Sequence, residues 1–369
     1  MGREQRAIEI AREIGFDLAG IAPLRPPADA ERFDRWLAQG HHASMAYLER
    51  NRDRIVDPRR VEPTGRSLLV VGLAHARAPT ALADGARVAR YAAGRDYHNV
   101  MTRMLRKLAK RLDAEGLGAA RGIVDAGPLL ERSHAVEAGL GFASKAANLL
   151  HPRFGPWFFL GELILTVDLA PTEAPVNGSC GTCTACIDAC PTGALVEPGV
   201  LDARKCISYQ TIENRGAIPD DLRASIGGWV FGCDVCSEVC PWGSRTADFA
   251  SRFGTHSAIA DAGLVEWIEL GDRFQAACEG SPVRRPGRAG LARNAAIVLG
   301  NQPSERGRRA LLHALTFDPS VVVREASAWA LSRAHGGDAG VKDQIARAGE
   351  RETDAAAREA MARHLARTD

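Results

Sequence analysis

A multidomain α+β chain is predicted by three observations. Strand and helix signals alternate over residues 60–170, eight of the nine cysteines lie between Cys180 and Cys240, and an Ala- and Leu-rich helical echo fills the last part of the sequence. They imply an N-terminal α/β module over 1–170, a bacterial ferredoxin-like domain with two [4Fe–4S] clusters over 171–250, and a C-terminal α-helical HEAT-like repeat over 251–369. The length of 369 residues allows two or three domains at about 150 residues each. Apolar residues at 46% and charged residues at 25% exclude wholesale disorder. A net charge of +2 gives no bulk electrostatic argument for nucleic acid, so any basic surface must be local.

The first twenty residues alternate charged and apolar positions at helical spacing and lack a signal-peptide core. The longest apolar runs, Ser67–Ala76 and Trp157–Ala170, are short or interrupted by Glu162, whereas a membrane-spanning helix needs roughly 20 apolar residues. A cytoplasmic protein with no membrane partner is expected. Residues 1–60 read as helices and loops with a turn at Pro23–Pro27, and Ser67–Ala74 reads as a buried strand. Asn99–Leu112 is a basic amphipathic helix whose Arg103, Arg106, Lys107, Lys110 and Arg111 form a solvated face. Ala119–Val124 is a short strand ending in a turn at Asp125, Leu129–Ala138 a helix stopped by Gly139, and Phe158–Leu169 another strand.

The cysteines carry the sharpest signal. An odd number of thiols without an export signal argues for metal rather than disulfides. Cys180-x2-Cys183-x2-Cys186-x3-Cys190-Pro191 is the bacterial ferredoxin spacing, in which the fourth thiolate reaches the other cluster. The second run, Cys233-x2-Cys236-x3-Cys240-Pro241, has Val230 where its first cysteine would stand, and Cys206 is the nearby replacement. One cluster then takes Cys180, Cys183, Cys186 and Cys240; the other takes Cys206, Cys233, Cys236 and Cys190. All-thiolate zinc is the competing reading, but three cysteines at two-residue intervals followed by Cys-Pro fit it poorly. Cys278 is left over as a small buried hydrophobe.

In the tail, the stretch from Arg293 to Gly300 is echoed from Arg324 to Leu331 and again from Arg358, at the period of a helical repeat. Arg284, Arg285, Arg288 and Arg293 cluster at its entrance, as a solvated turn or as a phosphate-contact patch.

Nearly the whole chain resembles the epoxyqueuosine reductase family, cobalamin-dependent iron–sulfur enzymes that complete queuosine synthesis in tRNA. The resemblance rests on Tyr91–His98, Val124–Arg132, Ala138–Phe142 followed by Lys145, and Phe159–Glu162. It continues through Cys180–Cys186, Cys206–Tyr209, Gly232–Cys236 and the helical repeat. It implies reduction of the cyclopentane epoxide of the wobble nucleoside to a cyclopentene, using cobalamin fed by two [4Fe–4S] clusters. Asp125, by itself a turn-former, becomes the proton donor, which requires a carboxyl raised above its usual value near 3.9. The cobalamin contacts implied are Arg54, Ala89, Asp125, Arg132, Leu149, Leu150, His151, Leu160, Ser208, Cys233 and Asp234. His151 has a pocket role rather than cobalt ligation, and His75 and His98 have none. Three of these leucines also read as core, and Arg132 as a partner of a surface carboxylate. The chain departs from the family at Ala143–Ala147, which keeps only Lys145, and at Val235.

Arg285, Arg293, Asn294 and Arg324 are implied to contact the anticodon stem-loop. An external donor such as a ferredoxin or flavodoxin, and a monomeric state, complete the implied picture. Two alternatives come from other classes. One is a cytoplasmic reductive dehalogenase-like cobalamin enzyme, the other a cobalamin-free ferredoxin-type electron-transfer protein.

Overall fold

In the computed structural model, four strands form a sheet that is antiparallel at every pair, in the order β1-β2-β4-β3. They are β1 (Leu18–Pro23), β2 (Ser67–Ala74), β3 (Ala119–Ile123) and β4 (Phe158–Leu165). The alternation of strands and helices pointed to an α/β module, and helices and strands do alternate here, with every paired strand antiparallel. The β1–β2 and β3–β4 connections return the chain beside its neighbour in the opposite direction, while the β2–β3 connection, which carries the helix Tyr97–Ala114, crosses over the place that β4 fills between them. All eight residues of β2 are buried, as its apolar, β-branched run requires. Strand β4 ends at Leu165, short of Leu169, because that residue already pairs with Ser67 at the end of β2. The sequence reading missed β1: Leu-Ala-Gly-Ile-Ala-Pro is poor in β-branched residues. Its place is set by packing, since a Cβ on Gly20 would lie 2.0 Å from the Ala138 carbonyl oxygen.

The structure describes residues 2–75, 78–125, 127–173, 176–244 and 252–366. They fall into two units whose segments interleave: 1–78, 95–204 and 234–254 in the first, and 79–94, 205–233 and 255–369 in the second. The expected division into 1–170, 171–250 and 251–369 is not how the contacts cluster. The cysteine block itself is split, with Cys206 and Cys233 in the second unit and the other six in the first. The expected boundary at 250/251 lies outside the described residues.

In the first unit, α1 (Arg3–Ile14) and α2 (Tyr97–Ala114) pack together, and α2 lies against β3 and β4. Helix α2 starts two residues ahead of its predicted start because the Asp96 side chain caps it, accepting the His98 N–H. Helix α3 (Glu131–Glu137) follows β3 and contributes Ala135 to a core shared with Val70, Ile123, Leu149 and Ile164. This core fixes the end of β3, and with it the turn that carries Asp125.

The second unit holds a small sheet, in which Trp229–Phe231 runs parallel to Arg87–Val88, and five longer helices. These are α4 (Gly287–Asn301), α5 (Glu305–Phe317), α6 (Val321–His335), α7 (Ala339–Arg351) and α8 (Ala355–Ala366). Helices α4 and α6 cross so closely that a Cβ on Gly300 would sit 2.8 Å from the Ala330 Cα. From Gly290 to Gly300 every residue of α4 is buried.

The echoed arginines explain the repeat. Arg324 donates to the Asp318 carbonyl oxygen and pairs with Glu352; Arg358 donates to the Glu352 carbonyl oxygen. Arg293 is fully buried and donates to the carbonyl oxygens of Gln210, Asn214 and Gly216. Asn294, equally buried, donates to those of Thr211 and Val230. Arg324 and Arg358 each close the loop that precedes their own helix, whereas Arg293 ties α4 to the distant segment 210–216. The phosphate-contact role expected for Arg293 and Asn294 is therefore corrected, because their donors are already engaged by backbone oxygens away from solvent. Arg293→Met, which keeps the bulk and removes the donors, is expected to destabilise the chain by about 3 kcal/mol. Arg285→Met, at a surface ion pair with Glu213, should cost under about 1 kcal/mol. Thermal midpoints of the two variants against the parent protein check this.

Candidate active site

Asp125 sits just past the end of β3 in a left-handed backbone conformation, φ 48°. That region is uncommon for residues other than glycine, although aspartate tolerates it better than most. Two residues on, Gly127 is required: a Cβ there would lie 1.9 Å from Ile123 Cγ2. The turn reverses the chain between β3 and α3 and presents the Asp125 side chain, 58% exposed, to the first turn of α2.

There it meets two donors. The Tyr97 hydroxyl donates to Asp125 Oδ2, and His98 Nε2 lies 3.3 Å from the same oxygen. The other ring nitrogen, Nδ1, is 2.8 Å from Asp96 Oδ1. The imidazole thus lies between two carboxylates, stacked on Tyr97, which stacks in turn on Phe159 of β4, each at 4.1 Å between centroids. Phe253 closes the aromatic stack edge-on at 5.3 Å. These contacts decide where the proton resides. Burial alone would lower the His98 pKa, but its bonds to Asp125 and Asp96 and their charges raise it to about 9. Burial would raise Asp125, yet the bonds from His98 and Tyr97 outweigh it and hold the carboxyl below its usual range. The raised carboxyl expected of Asp125 beneath a corrin is not what its protein neighbours by themselves produce. At neutral pH the proton is on His98, ion-paired to an ionised Asp125.

His98 is the residue that the sequence reading missed. Its signal was available: Asp96, Tyr97 and His98 close the Tyr91–His98 segment. An Asp-x-His pair at a helix start places a carboxylate beside an imidazole.

A second feature of the first unit is a cavity lined by Cys180, Cys183, Cys186, Cys236 and Cys240, with Ser144, Pro156 and Trp242 at its walls. No cysteine is in a disulfide. Burial pushes the Cys186 thiol up, with a further push from Cys180 and Cys240 beside it. Lys145 supports the loop: its N–H lies 3.5 Å from Cys180 Sγ and its ammonium donates to the Gly181 and Cys183 carbonyl oxygens. Cys190 accepts the Ala194 N–H, and backbone bonds of this kind hold its thiol below its usual value despite burial. A cavity ringed by free thiols, with backbone N–H groups directed at sulfur, fits an iron–sulfur cluster. Cys278 is fully buried, and burial pushes its thiol up to about 11.

Of the other residues implied for the cofactor, Arg54, Arg132, Leu149, Leu150, His151, Leu160 and Asp234 belong to the first unit; Ala89, Ser208 and Cys233 belong to the second. Arg132 donates to the Ala147 carbonyl oxygen and lies near enough to Asp125 to help lower its carboxyl. Leu149 is in the hydrophobic core and Leu150 lines the cysteine cavity. Leu160 packs against that core, and Ala89 is buried with its N–H bonded to the Phe231 carbonyl oxygen. Arg54 lies on the short helix Arg52–Val56, Ser208 on Ile207–Ile212, and Asp234 caps Val235–Glu238. His151 accepts the Arg153 N–H at Nδ1 and packs on Phe154, and burial lowers its pKa. Within the first unit, Leu150 and Leu160 supply apolar surface and Arg132 and His151 polar groups, the kinds of contact a corrin with its amide side chains would use.

Comparison with known proteins agrees with these features. Residues 179–243 match the family model described as a 4Fe-4S double cluster binding domain, and residues 56–126 match the one described as Epoxyqueuosine reductase QueG, DUF1730. The epoxyqueuosine reductase of Xanthomonas campestris is 42% identical over 340 residues, covering 89% of this chain and 94% of that protein. That of Pseudomonas aeruginosa is 40% identical over 337 residues, covering 88% and 92%. A crystal structure of epoxyqueuosine reductase with an epoxyqueuosine-modified tRNA-Tyr stem loop superposes with a TM-score of 0.87 at 28% identity, covering 98% of this chain and 97% of that one. A Bacillus subtilis epoxyqueuosine reductase, also at TM-score 0.87 and 28% identity over 98% of both chains, has its catalytic aspartate loop swung out of the active site. With identity above 40% to a curated relative across nearly nine-tenths of its length, the chain belongs to the epoxyqueuosine reductase family, oxidoreductases of queuosine biosynthesis.

Proposed function

We propose that the chain reduces the epoxide of epoxyqueuosine at the wobble position of tRNA, with cobalamin and two [4Fe–4S] clusters as its redox groups. The observation that carries this reading is the proton-charged pair of His98 and Asp125, set beside Tyr97 in a chain with eight clustered thiols. The overall change takes two electrons and two protons; the epoxide oxygen leaves as water and the ring carbons become an alkene. When bound, cobalamin supplies a low-valent cobalt that acts as nucleophile or one-electron reductant, and the clusters pass electrons singly. The first cluster would be held by Cys180, Cys183, Cys186 and Cys240, the second by Cys190, Cys206, Cys233 and Cys236. Arg54, Ala89, Asp125, Arg132, Leu149, Leu150, His151, Leu160, Ser208, Cys233 and Asp234 would border the corrin.

The chain's own residues handle the proton. An epoxide oxygen gains negative charge as its C–O bond breaks, so a donor must stand ready at neutral pH. Asp125 alone would be ionised there. Beside His98 it stays ionised and would take up the His98 proton at Oδ2 only as it passes it on to the epoxide oxygen, leaving a neutral imidazole, while Tyr97 fixes the carboxylate in place. The family's aspartate keeps its role, as the front member of a two-residue acid. A catalytic loop like the one swung out in the Bacillus relative would break both bonds to Asp125, leaving it an ordinary solvated carboxylate.

For tRNA, Arg285, 55% exposed at its side chain, is the better placed of the four implied residues; Arg324 is tied to Glu352 and three-quarters covered. The HEAT-like helix pairs would carry that surface. An electron donor such as a ferredoxin or flavodoxin would serve a cytoplasmic, monomeric enzyme. Among the described residues no helix is long and apolar enough to cross a membrane.

Three measurements test the reading. Anaerobically purified protein should contain about eight iron and eight sulfide per chain, and Cys240→Ser about four; four in the parent protein would remove the second cluster. Asp125→Asn should abolish turnover while both clusters stay in place. In the same variant the His98 imidazole, followed by NMR, should titrate well below its parent value of about 9 yet above 6.5, since Asp96 remains. The sign follows from the pair: the raised imidazole keeps its proton below about pH 9, so parent turnover should fall on the alkaline side of that value. Arg285→Glu should weaken tRNA binding and reduce its salt slope by about one, whereas an unchanged slope would return this arginine to a solvated turn.

A further inference from the structure

Strand β4 carries Glu162 in the centre of the sheet, where its register places it between Val70 of β2 and Ile123 of β3. The residue is completely buried, and no hydrogen-bond donor reaches either of its carboxyl oxygens. A buried carboxylate with neither donor nor cation is untenable. What faces it is another acid, Glu131, the first residue of α3. Glu131 Oε1 accepts the backbone N–H of Asp125 at 2.6 Å. Two ionised carboxylates cannot share this space, but a protonated one donates to an ionised one in a short bond. The chemistry therefore requires one proton between Glu131 and Glu162, and the line of contacts runs from the sheet interior to the Asp125 backbone.

We propose that Glu131 and Glu162 share a proton and together act as a positioning device, holding the Asp125 backbone in its left-handed conformation so that its carboxylate meets Tyr97 and His98. The strand supplies the rigid base: Glu162 is pinned by ladder bonds on both sides. Glu131 transmits that rigidity two residues past β3, where the ladder has ended and the Asp125 N–H has no strand partner. Burial pushes both acids up, Glu131 to about 8 with Asp125 as second cause, which agrees with a retained proton. The other charges facing the pair are Asp125 and, across from it, Arg132. An acid in the first turn of a helix is common for electrostatic reasons alone. That reading gives Glu162 no task and leaves the Asp125 N–H bond incidental.

The two readings separate by a measurement that needs neither substrate nor cobalamin. In the oxidised, iron-loaded full-length protein with labelled histidine, the His98 titration reports whether Asp125 is engaged. Glu131→Ala removes the acceptor and should lower the His98 pKa by about one unit, toward the value in Asp125→Asn. Glu162→Gln keeps a donor aimed at Glu131 and should leave the His98 titration in place, whereas Glu162→Leu, similar in volume but without a donor, should lower it. Should Glu131→Ala lose iron and fold, the comparison of Gln with Leu at position 162 still decides. A His98 titration unchanged in both Glu131→Ala and Glu162→Leu overturns the proposal, as does a Gln variant that behaves like the Leu one.

The kinetic counterpart rests on the proposed role of Asp125: Glu162→Leu should lower kcat by at least about tenfold with KM within threefold, as expected for a small misplacement of a reacting group. If the titration shifts and kcat does not, the positioning holds and the catalytic reading of Asp125 fails. If neither shifts, the positioning itself is wrong.

Discussion

The bond between the His98 imidazole and the Asp125 carboxylate is the constraint on which the rest of the first unit is organised. It requires the start of α2 to face the end of β3 across an ion-pair distance of 3.3 Å. Both ends are fixed by structure remote from the pair. Helix α2 is placed by its cap at Asp96 and by the Tyr97–Phe159 stack, which ties its first turn to β4. The turn after β3 is placed by the core around Ile123 and by the Asp125 N–H bond to Glu131. A carboxylate held this way can serve as a proton relay because its neighbours, and not its own burial, set its charge.

How much of this the sequence disclosed follows the range of the forces involved. Patterns carried by neighbours in the chain were legible. The buried strand Ser67–Ala74, helix α2 to within two residues, and the thiols that line the cavity all follow from local spacing and composition. Features fixed by distant neighbours were not. Strand β1 has weak strand character and is held by Gly20 against the Ala138 backbone. The antiparallel order of the sheet is a property of how strands meet, and the alternation of elements does not disclose it. The resemblance pointed to Asp125, but the charge of its carboxyl depends on His98, twenty-seven positions earlier in the chain and brought alongside only by the fold.

The arginines of the helical unit make the same point from the other side. A cluster of cations near a helical repeat reads as an RNA surface when only sequence is considered. In the structure all three donate to backbone carbonyl oxygens: Arg324 and Arg358 to the loop ahead of their own helix, Arg293 to the distant segment 210–216. A guanidinium suits this: five donors in a planar fork satisfy several carbonyls at once, which a lysine could not. The echo in the sequence is thus an echo of ties to backbone carbonyls. Burial separates the two kinds of arginine, since a phosphate contact needs an accessible fork and a loop tie needs a sheltered one.

The acids around Asp125 show why a site so rich in carboxylates can still hold a proton at neutral pH. Asp96, Asp125, Glu131 and the mid-sheet Glu162 lie close together around the end of β3, with His98 and Arg132 as the facing cations. Were all four acids ionised, the site would repel an incoming electron. Sharing one proton between the two glutamates removes one negative charge, and the protonated His98 offsets another. Arg132 offsets part of a third. The group therefore carries less negative charge than the count of acids suggests, and its proton rests on His98, 3.3 Å from the Asp125 carboxylate.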